Sequence, residues 1–471
     1  MLEKQKTINW KISSPNGHFL ALSVFHTFAF SFILTESKMV HNFQPTAYHL
    51  QSLVTGRDFE DAGWMLEAPG EDKPSLLQTV YTQDQLQVKE DGFGLYKFAE
   101  WLPVKRFLNG SSYPVTYKSE KLASCLGLTN LYITFSGWWP EKGATMKTCS
   151  FKETEAYSVC ARLQENSGKV LVVASAGNTA RSFARVCSDN NIPLLLCVPE
   201  DNLDALWFDE KINDCVKVIA SRKGSDYFDA IHLSNLACKL EKFLPEGGAK
   251  NVARRDGMAT TVLSAVTTIG RIPGYYFQAV GSGTGAIAAW EADKRFIKDG
   301  RYGNNKMKLM VSQNAPFLPI YNAWKAGSRE LLPLDDDLAR RYVEEIWAKV
   351  LSNRKPPYSI SGGLFDALKD SGGDVLLVPN KEAFSAGELF LEIEGIDLHP
   401  AAAVATASLI NACREKKVEK DAVIMLNITG GGEERFKRGR QLNYLKPSVV
   451  FDINPSLDDV KVKLGSLFAD H

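Results

Sequence analysis

The chain has no excess of charge of either sign. Its 471 residues include 55 lysines and arginines and 55 aspartates and glutamates, so the formal net charge is zero. Proteins that bind nucleic acids or other polyanions usually carry a basic surface. The charge balance therefore argues against a nucleic-acid partner and favours a small-molecule substrate. A hydrophobic content of 45% is sufficient for more than one buried core.

Closely spaced cysteine pairs are also missing. The eight cysteines are scattered, and no two of them form a CxxC pair. A zinc ribbon is therefore disfavoured, and no metal site is expected. A long chain with dispersed cysteines is not a disulfide scaffold, so we expect a reducing, cytoplasmic setting and mostly buried thiols.

Long apolar runs are scarce, and the one near the N-terminus is ambiguous. Residues 19–34 are apolar but contain His26 and three hydroxyl side chains, and no A-x-A cleavage pattern follows them. The run is also short for a membrane span. Residues 1–42 are therefore expected to be an N-terminal extension, and because Met39 follows closely, we expect the start codon to be assigned too early and Met39 to be the true start. A functional anchor and an ordinary structural appendage are the alternatives.

Short apolar runs alternate with amphipathic stretches from about residue 120 onward. The predicted strands are 170–174, 192–198, 216–220, 276–280, 307–311, 375–378 and 423–428. Continuous apolar strands separated by helical stretches are typical of a parallel sheet that helices cover on both faces. The sequence therefore predicts a doubly wound α/β fold with two such sheets. Residues 43–115 lack this pattern and predict an irregular N-terminal subdomain.

A lysine opens a predicted helix after Cys149, Ser150 and Phe151. Lys152 lies in the first helical turn, which Ser150 can cap. The positive end of the helix dipole disfavours an ammonium group there, so Lys152 suits a reaction that needs a neutral amine. Taken alone, a solvated surface lysine is the simpler interpretation.

Two loops connect predicted strands to predicted helices. The first consists of Ser175, Ala176, Gly177, Asn178 and Thr179. The second consists of Gly281, Ser282, Gly283, Thr284 and Gly285. Backbone N–H groups at such turns bind carboxylate or phosphate. The second loop matches neither the P-loop nor GxGxxG, so it favours a single phosphate group over a dinucleotide. Each loop alone is also compatible with an ordinary turn.

A fourth loop begins with Thr429 and continues with three glycines, directly after the predicted strand 423–428. Thr429 would lie at the ligand-binding edge of the sheet, although a plain surface turn is an alternative.

In this order, the four motifs resemble the signature of fold-type-II pyridoxal-phosphate (PLP) enzymes. Residues 43–445 resemble threonine synthase. The loop 136–149 departs from that family in length and chemistry, and the chain is more similar to the cysteate synthase family of methanogenic archaea.

The resemblance implies a fold and a division into domains. The fold would be that of tryptophan synthase β-like enzymes, with PLP held between two doubly wound domains. Residues 116–153 and 256–471 would form the large PLP domain, and residues 154–255 the small α/β domain. Relatives are often dimers or trimers, so a homo-oligomer is expected.

The resemblance also implies roles for individual residues. Lys152 would hold PLP as a Schiff base and act as the base for the substrate α-proton. Asn178 would bond the phenolic oxygen of PLP, and Thr429 would meet its pyridine nitrogen. The PLP phosphate would be held by Gly281, Ser282, Gly283, Thr284 and Gly285. The substrate carboxylate would lie against Ser175, Ala176, Gly177 and Thr179.

Anionic substrates require cationic partners, and the basic residues near the motifs are the candidates. Lys147 and Arg181 are preferred for substrate binding. Further candidates are Lys142, Arg254 and Arg255, and each is equally well explained as a solvated basic side chain. Trp138 and Trp139 would either wall the pocket or belong to the core.

The implied reaction is a PLP-dependent, transferase-type β-replacement of coenzyme M biosynthesis. O-Phospho-L-serine and sulfite would give L-cysteate and phosphate. The alternatives are threonine synthase acting on O-phosphohomoserine and cysteine synthase using sulfide. Outside these, a PLP-binding regulator and a nicotinamide-dependent oxidoreductase are two further classes, and the intact Lys152 and the glycine spacing argue against them.

Overall fold

The computed structural model describes residues 44–61, 64–90, 92–164 and 168–468. The expected N-terminal extension and its apolar run at 19–34 lie outside these residues. Residues from Pro45 onward belong to one compact unit. Within the described ranges, no helix has both the length and the apolarity that crossing a membrane requires.

The described part of the chain contains short and long strands in alternation with helices. The strands are β1 (Tyr48–Ser52), β2 (Asp58–Phe59), β3 (Leu77–Tyr81), β4 (Val115–Lys118), β5 (Asn130–Phe135), β6 (Trp138–Trp139), β7 (Ala144–Thr145), β8 (Val170–Ala174), β9 (Leu194–Pro199), β10 (Trp207–Phe208), β11 (Val216–Ser221), β12 (Phe243–Pro245), β13 (Tyr275–Ala279), β14 (Lys308–Ala315), β15 (Asp374–Pro379), β16 (Val423–Ile428), β17 (Asn443–Tyr444) and β18 (Val449–Phe451). All seven predicted strands are confirmed, with ends shifted by no more than a few residues.

Along the chain, most of the α-helices connect consecutive strands of the two larger sheets. They are α1 (Lys121–Leu126), α2 (Lys152–Arg162), α3 (Asn178–Asp189), α4 (Tyr227–Ala237), α5 (Val252–Ile269), α6 (Thr284–Asp299), α7 (Pro319–Lys325), α8 (Asp336–Glu345), α9 (Leu364–Ser371), α10 (Asn380–Glu394), α11 (Pro400–Arg414), α12 (Glu433–Lys437) and α13 (Leu457–Leu467). Short 3-10 helices cover Gly94–Trp101, Pro140–Lys142, Glu200–Ala205, Gly248–Lys250 and Lys349–Leu351.

The larger sheet has six strands in the order β15-β14-β13-β16-β5-β4. All neighbours are parallel except β4, which pairs antiparallel with β5 at the edge. β16 lies in the middle, and all six of its residues are buried. This burial explains its uninterrupted apolar sequence, because helices cover both faces of the sheet.

The smaller sheet has five parallel strands in the order β12-β8-β9-β11-β18. Its last strand corrects the predicted domain division, which assigned all of residues 256–471 to the larger domain. β18 pairs with β11, with Val449 opposite Ile219. Val460 and Leu464 of α13 pack with Leu233 of α4 in one core. The C-terminal segment therefore belongs to the smaller sheet, because its apolar side chains complete that core.

The N-terminal region, predicted to be irregular, contains a small antiparallel sheet in the order β2-β1-β3. Burial alternates along β3, as in a strand with one face on the core. Asp256 of α5 anchors it by accepting hydrogen bonds from Thr79 (2.6 Å) and the Tyr81 hydroxyl (2.7 Å). Arg295 of α6 donates to the other oxygen of Asp256 at 2.6 Å. The sheet is thus attached to the two helices that flank β13.

Helices α2 and α5 approach each other at Gly257. A Cβ at this position would lie 2.5 Å from the Thr154 carbonyl oxygen and 2.9 Å from Glu155 Cα. Both contacts involve the backbone of α2, the helix that begins at Lys152. Glycine is therefore required here for the distance between the helices.

We expect Gly257→Ala to lower the free energy of unfolding by about 1–3 kcal/mol, because the added methyl group forces α2 and α5 apart. Urea denaturation measures the effect. Gly465→Ala in α13 is the matched control, since its Cβ would meet nothing within 4 Å. That variant should be neutral or more stable by up to about 1 kcal/mol. Equal stability of the two variants would contradict the close helix packing.

Candidate active site

The four predicted loops meet at the carboxyl ends of parallel strands. The loop bearing Lys152 comes after β5 and the short β6–β7 hairpin, Thr429 follows β16, and the glycine-rich loop follows β13. Strands β5, β16 and β13 are neighbours in the larger sheet. The loop 175–177 follows β8 of the smaller sheet. Residues from all four loops line one cavity, which is the usual position of a ligand site in an open α/β sheet.

Backbone hydrogen bonds join the lysine loop to the end of β16. The Phe151 N–H donates to the Thr429 carbonyl at 3.0 Å, and the Gly431 N–H donates to the Cys149 carbonyl at 3.1 Å. A Cβ on Gly431 would lie 2.6 Å from the Asp397 carbonyl oxygen. The glycines after Thr429 therefore allow three chain segments to approach closely.

Lys152 is the first residue of α2, and its amine faces the cavity beside a carboxylate. The backbone N–H of Lys152 donates to Ser150 Oγ at 3.3 Å, and the side-chain Nζ lies 3.0 Å from Glu155 Oε2. Burial lowers the pKa of Lys152, and the Arg254 charge acts in the same direction, whereas Glu155 opposes both. The predicted tendency of Lys152 towards the neutral form is present, and burial is its largest cause.

The glycine-rich loop forms the turn between β13 and α6. Gly283, the N-cap, has a φ of 79°, a conformation that favours glycine. The Ser282 and Thr284 hydroxyls lie 2.9 Å apart at the cavity wall. Because the first N–H groups of a helix have no intrahelical acceptor, the turn offers donors to an anion.

The glycine-rich loop is also covered by another segment. A Cβ on Gly281 would lie 3.0 Å from the Leu351 Cα. The 3-10 helix Lys349–Leu351 and the next two residues, Ser352 and Asn353, contribute to the cavity lining. The loop's glycines are therefore needed for packing as well as for access to an anion.

Asn178 begins α3, and its side chain lies within a polar cluster. Its Oδ1 accepts a hydrogen bond from Arg181 at 2.8 Å, and its Nδ2 lies 3.4 Å from His399 Nδ1. The other His399 nitrogen, Nε2, lies 2.7 Å from Glu433 Oε2. If its proton is on Nε2, His399 can accept a hydrogen bond at Nδ1 from the Asn178 side-chain amide.

Glu433 is held in the charged form. Burial acts to raise its pKa, but His399, Arg181 and Lys437 together keep the pKa of Glu433 well below its usual value. Its Oε1 accepts from Lys437 at 2.6 Å, and its Oε2 lies 3.2 Å from Arg181. A fixed carboxylate therefore orients the His399 ring at the cavity wall.

The structure does not bring the preferred basic residues into the cavity. Lys147 lies 3.2 Å from Glu210 and 3.7 Å from Asp209, outside the lining residues. Arg181 is 2% exposed and donates to the Thr148 and Ala205 carbonyls. Its charge is already engaged, so it organises the loops around the cavity.

The further basic candidates differ among themselves. Lys142 lies over the rings of Tyr117 and Trp139, and Arg255 is 1% exposed and bonds Glu291 at 3.0 Å. Neither lines the cavity, whereas Arg254 does. A buried cation requires an anionic partner or a hydrogen-bond acceptor. The sequence does not show which of the basic residues have such a partner in the folded protein.

The two tryptophans of the loop 136–149 belong to the core and not to the cavity wall. Trp139 is 7% exposed and packs edge-on against Phe135. Trp138 packs edge-on against Phe436. Of the two sequence-based alternatives for this pair, the structure supports the core.

Several cavity residues were not predicted to have roles. They are Tyr227, Gln278, Lys349, Ser352, Asn353 and His399. None lies in a local motif, and the segment 349–353 reaches the cavity only through tertiary packing. His399 lies in residues 394–400, a segment that resembles threonine synthase, and this resemblance is the one signal that could have identified it.

The arrangement fits PLP on the evidence of its own donors. A largely buried amine of lowered pKa, a strand-to-helix turn whose first N–H groups have no intrahelical acceptor, and a threonine hydroxyl line the same cavity. These groups match the aldehyde, the phosphate and the ring nitrogen of PLP in chemistry. The amide of Asn178 adds a donor for the phenolic oxygen.

Comparisons with known proteins agree with this chemistry. Residues 142–430 match the family model described as pyridoxal-phosphate dependent enzyme. Maize serine racemase has a similar structure, with a TM-score of 0.53 and 15% identity over 68% of this chain and 89% of that chain. This likeness supports the fold.

Curated relatives are much more similar in sequence. The cysteate synthase of Methanosarcina acetivorans is 46% identical over 88% of this chain and 99% of the relative. The cysteate synthase of Methanosarcina mazei gives the same values. That of Methanocella paludicola is 46% identical over 79% of this chain and 87% of the relative. The chain therefore belongs to the cysteate synthase family of PLP-dependent enzymes, and PLP is its cofactor.

Proposed function

We propose that this enzyme catalyses a β-replacement in which O-phospho-L-serine and sulfite give L-cysteate and phosphate. The observation that carries the proposal is the 46% identity to cysteate synthases along almost their whole length. The cavity supports it, because it combines an amine with two anion-binding turns. One turn would serve the cofactor phosphate and the other the carboxylate of an amino acid.

Lys152 is the residue we assign to the cofactor aldehyde and to the substrate α-proton. When bound, PLP supplies an electron sink that makes the α-carbon of an amino acid acidic. Lys152 then removes the α-proton and returns it to the same carbon after the β-substituent has been exchanged. Its lowered pKa favours the neutral amine that both tasks require.

The remaining assignments follow the lining of the cavity. Residues 281–285 would hold the cofactor phosphate through backbone N–H groups and the hydroxyls of Ser282 and Thr284. Thr429 would meet the ring nitrogen, and Asn178 would donate to the phenolic oxygen. Residues 175–177 and Thr179 would bind the substrate carboxylate at the start of α3. All of these residues line the cavity.

Thr429 favours this type of reaction. A hydroxyl at this position would not force protonation of the ring nitrogen as a carboxylate would, so bound PLP would supply a weaker electron sink. Rapid expulsion of a group from the β-carbon suits such an arrangement. The departing phosphate and the incoming sulfite are both anions, and Arg254 and Lys349 are cations that line the cavity.

A product assay tests the reaction. Purified enzyme with PLP and O-phosphoserine should form cysteate when sulfite is supplied, and phosphate should be released in equal amount. Sulfide and water as acceptors, and O-phosphohomoserine as donor, are the comparisons. Threonine from O-phosphohomoserine without cysteate from sulfite would contradict the proposal and leave the fold unaffected.

Replacement of Lys152 tests its role. We expect Lys152→Ala to lose the visible absorption of the PLP Schiff base and to lower kcat by at least about 10³-fold, because the base is removed. Lys147→Ala is the matched control, since its amine is paired with acidic residues outside the cavity. Retention of the Schiff-base absorption in Lys152→Ala would refute the assignment.

The glycine-rich loop can be tested by cofactor affinity. We expect Gly283→Ala to weaken PLP binding at least tenfold, about 1.4 kcal/mol, because of its φ of 79° and a Cβ only 2.6 Å from Leu364 Cδ2. Gly300→Ala at the other end of α6 is the control, since it has a φ of 77° and no neighbour within 4 Å. Fluorescence titration with PLP compares the two. Equal affinities would exclude the loop from the phosphate site.

A further inference from the structure

A largely buried row of alternating charges begins at Lys152 and runs away from the cavity. Lys152 Nζ lies 3.0 Å from Glu155 Oε2, and Glu155 Oε1 lies 3.0 Å from Arg254 Nη2. Arg254 Nη1 donates to Glu246 Oε2 at 2.6 Å. We call these four residues the lysine network. Two positive and two negative groups make it neutral as long as Lys152 is an ammonium group.

The carboxylates of the lysine network lie behind the cavity wall. Lys152 and Arg254 line the cavity, whereas Glu155 and Glu246 are not among its lining residues. The Glu155 side chain has no exposed surface, and that of Glu246 is 7% exposed. Glu155 can therefore influence the reacting atoms only through Lys152 and Arg254, the two cavity-lining residues that it contacts.

The groups that face Lys152 come from four elements. Glu155 lies on its own helix α2, Arg254 on α5, and Glu246 on the segment after β12. Tyr227 of α4 adjoins the network, and burial raises its pKa above the usual value, so it stays neutral. Glu155 and Glu246 favour the ammonium form of Lys152, whereas burial and Arg254 favour the neutral amine.

Loss of the Lys152 charge changes the balance of the network. When this amine is neutral, one arginine faces two buried carboxylates, and the formal charge of the network is −1. A buried charge without a partner is costly. The network therefore favours the return of one proton to Lys152 Nζ.

We propose that Glu155 is a positioning residue that strengthens the Lys152 amine as the acceptor of the substrate α-proton. In this scheme the C–H bond at the α-carbon breaks, and its proton forms an N–H bond on Lys152. The resulting ammonium group is stabilised by Glu155, and the same proton later returns to the α-carbon of the product. Glu155 neither forms nor breaks a bond in this scheme. The inference rests on the proposed role of Lys152.

Glu155→Gln should let Lys152 condense with PLP at lower pH, and it should also make Lys152 a weaker base towards the substrate. Condensation with PLP requires a neutral amine, and without the Glu155 charge Lys152 becomes neutral at lower pH. The pH midpoint for the rate of Schiff-base formation by apo-protein, followed by visible absorption, should fall by about 1–3 units. Exchange of the O-phosphoserine α-proton with solvent deuterium should slow about tenfold, because the base is weaker. A merely structural role would slow both processes and leave the midpoint unchanged.

Three variants accompany this experiment. Glu155→Asp keeps the charge and should keep the midpoint near that of the wild type. Glu246→Gln should shift the midpoint in the same direction by a smaller amount, because Glu246 acts across Arg254. Glu388→Gln on the exposed face of α10 should change neither measurement. Urea unfolding of each variant shows whether it is folded.

The outcomes separate this inference from the proposed function. A folded Glu155→Gln variant with an unchanged or raised midpoint overturns the inference. If that variant does not fold, Glu246→Gln decides, and the absence of a downward shift overturns the inference in the same way. Schiff-base formation by Lys152→Ala would instead overturn the proposed function. An unshifted Glu155→Gln midpoint together with loss of the Schiff base in Lys152→Ala leaves the proposed function intact.

Discussion

The active site depends on the pairing between the lysine loop and the end of the central strand of the larger sheet. Hydrogen bonds from Phe151 to Thr429 and from Gly431 to Cys149 connect segments almost 280 residues apart in sequence. This pairing fixes the start of α2 and therefore the position of Lys152. It also sets Thr429 in the same cavity. The glycines after Thr429 are what allow the backbones to come this close.

Burying charged side chains at this site costs free energy, and opposite charges nearby offset that cost. Lys152, Arg254, Arg181 and the carboxylates around them lie largely out of water, and each has an opposite charge or a carbonyl within hydrogen-bonding distance. Such groups are costly when unpaired. As a result of this pairing, two opposing effects act on the pKa of Lys152 in the cavity: burial lowers it and Glu155 raises it. The Glu433 carboxylate lies 2.7 Å from His399 Nε2 and orients the His399 ring.

Much of the fold, and the four loops that line the candidate site, were predictable because the signals are local. Seven buried strands were visible as apolar runs. Two of them end in loops whose glycines and hydroxyl side chains suit an anion, and a third ends at Thr429 and its three glycines. Lys152 was identifiable only from the order of these loops. The basic residues were predicted less well. Lys147 and Arg181 lie near the motifs in sequence, but the first is paired at the surface and the second is buried against carbonyl groups.

The sequence by itself determined the α/β class, the strands and the four loops, because each depends on neighbouring residues and on the hydrophobic pattern. It also carried the family resemblance, through the order of the motifs. Tertiary structure alone decided which charges are compensated, that Trp138 and Trp139 pack in the core, that β18 joins the smaller sheet, and that residues 349–353 cover the glycine-rich loop. These features arise from contacts between segments far apart in the chain. No local pattern records such contacts, because the free energy of each depends on which partner the fold supplies.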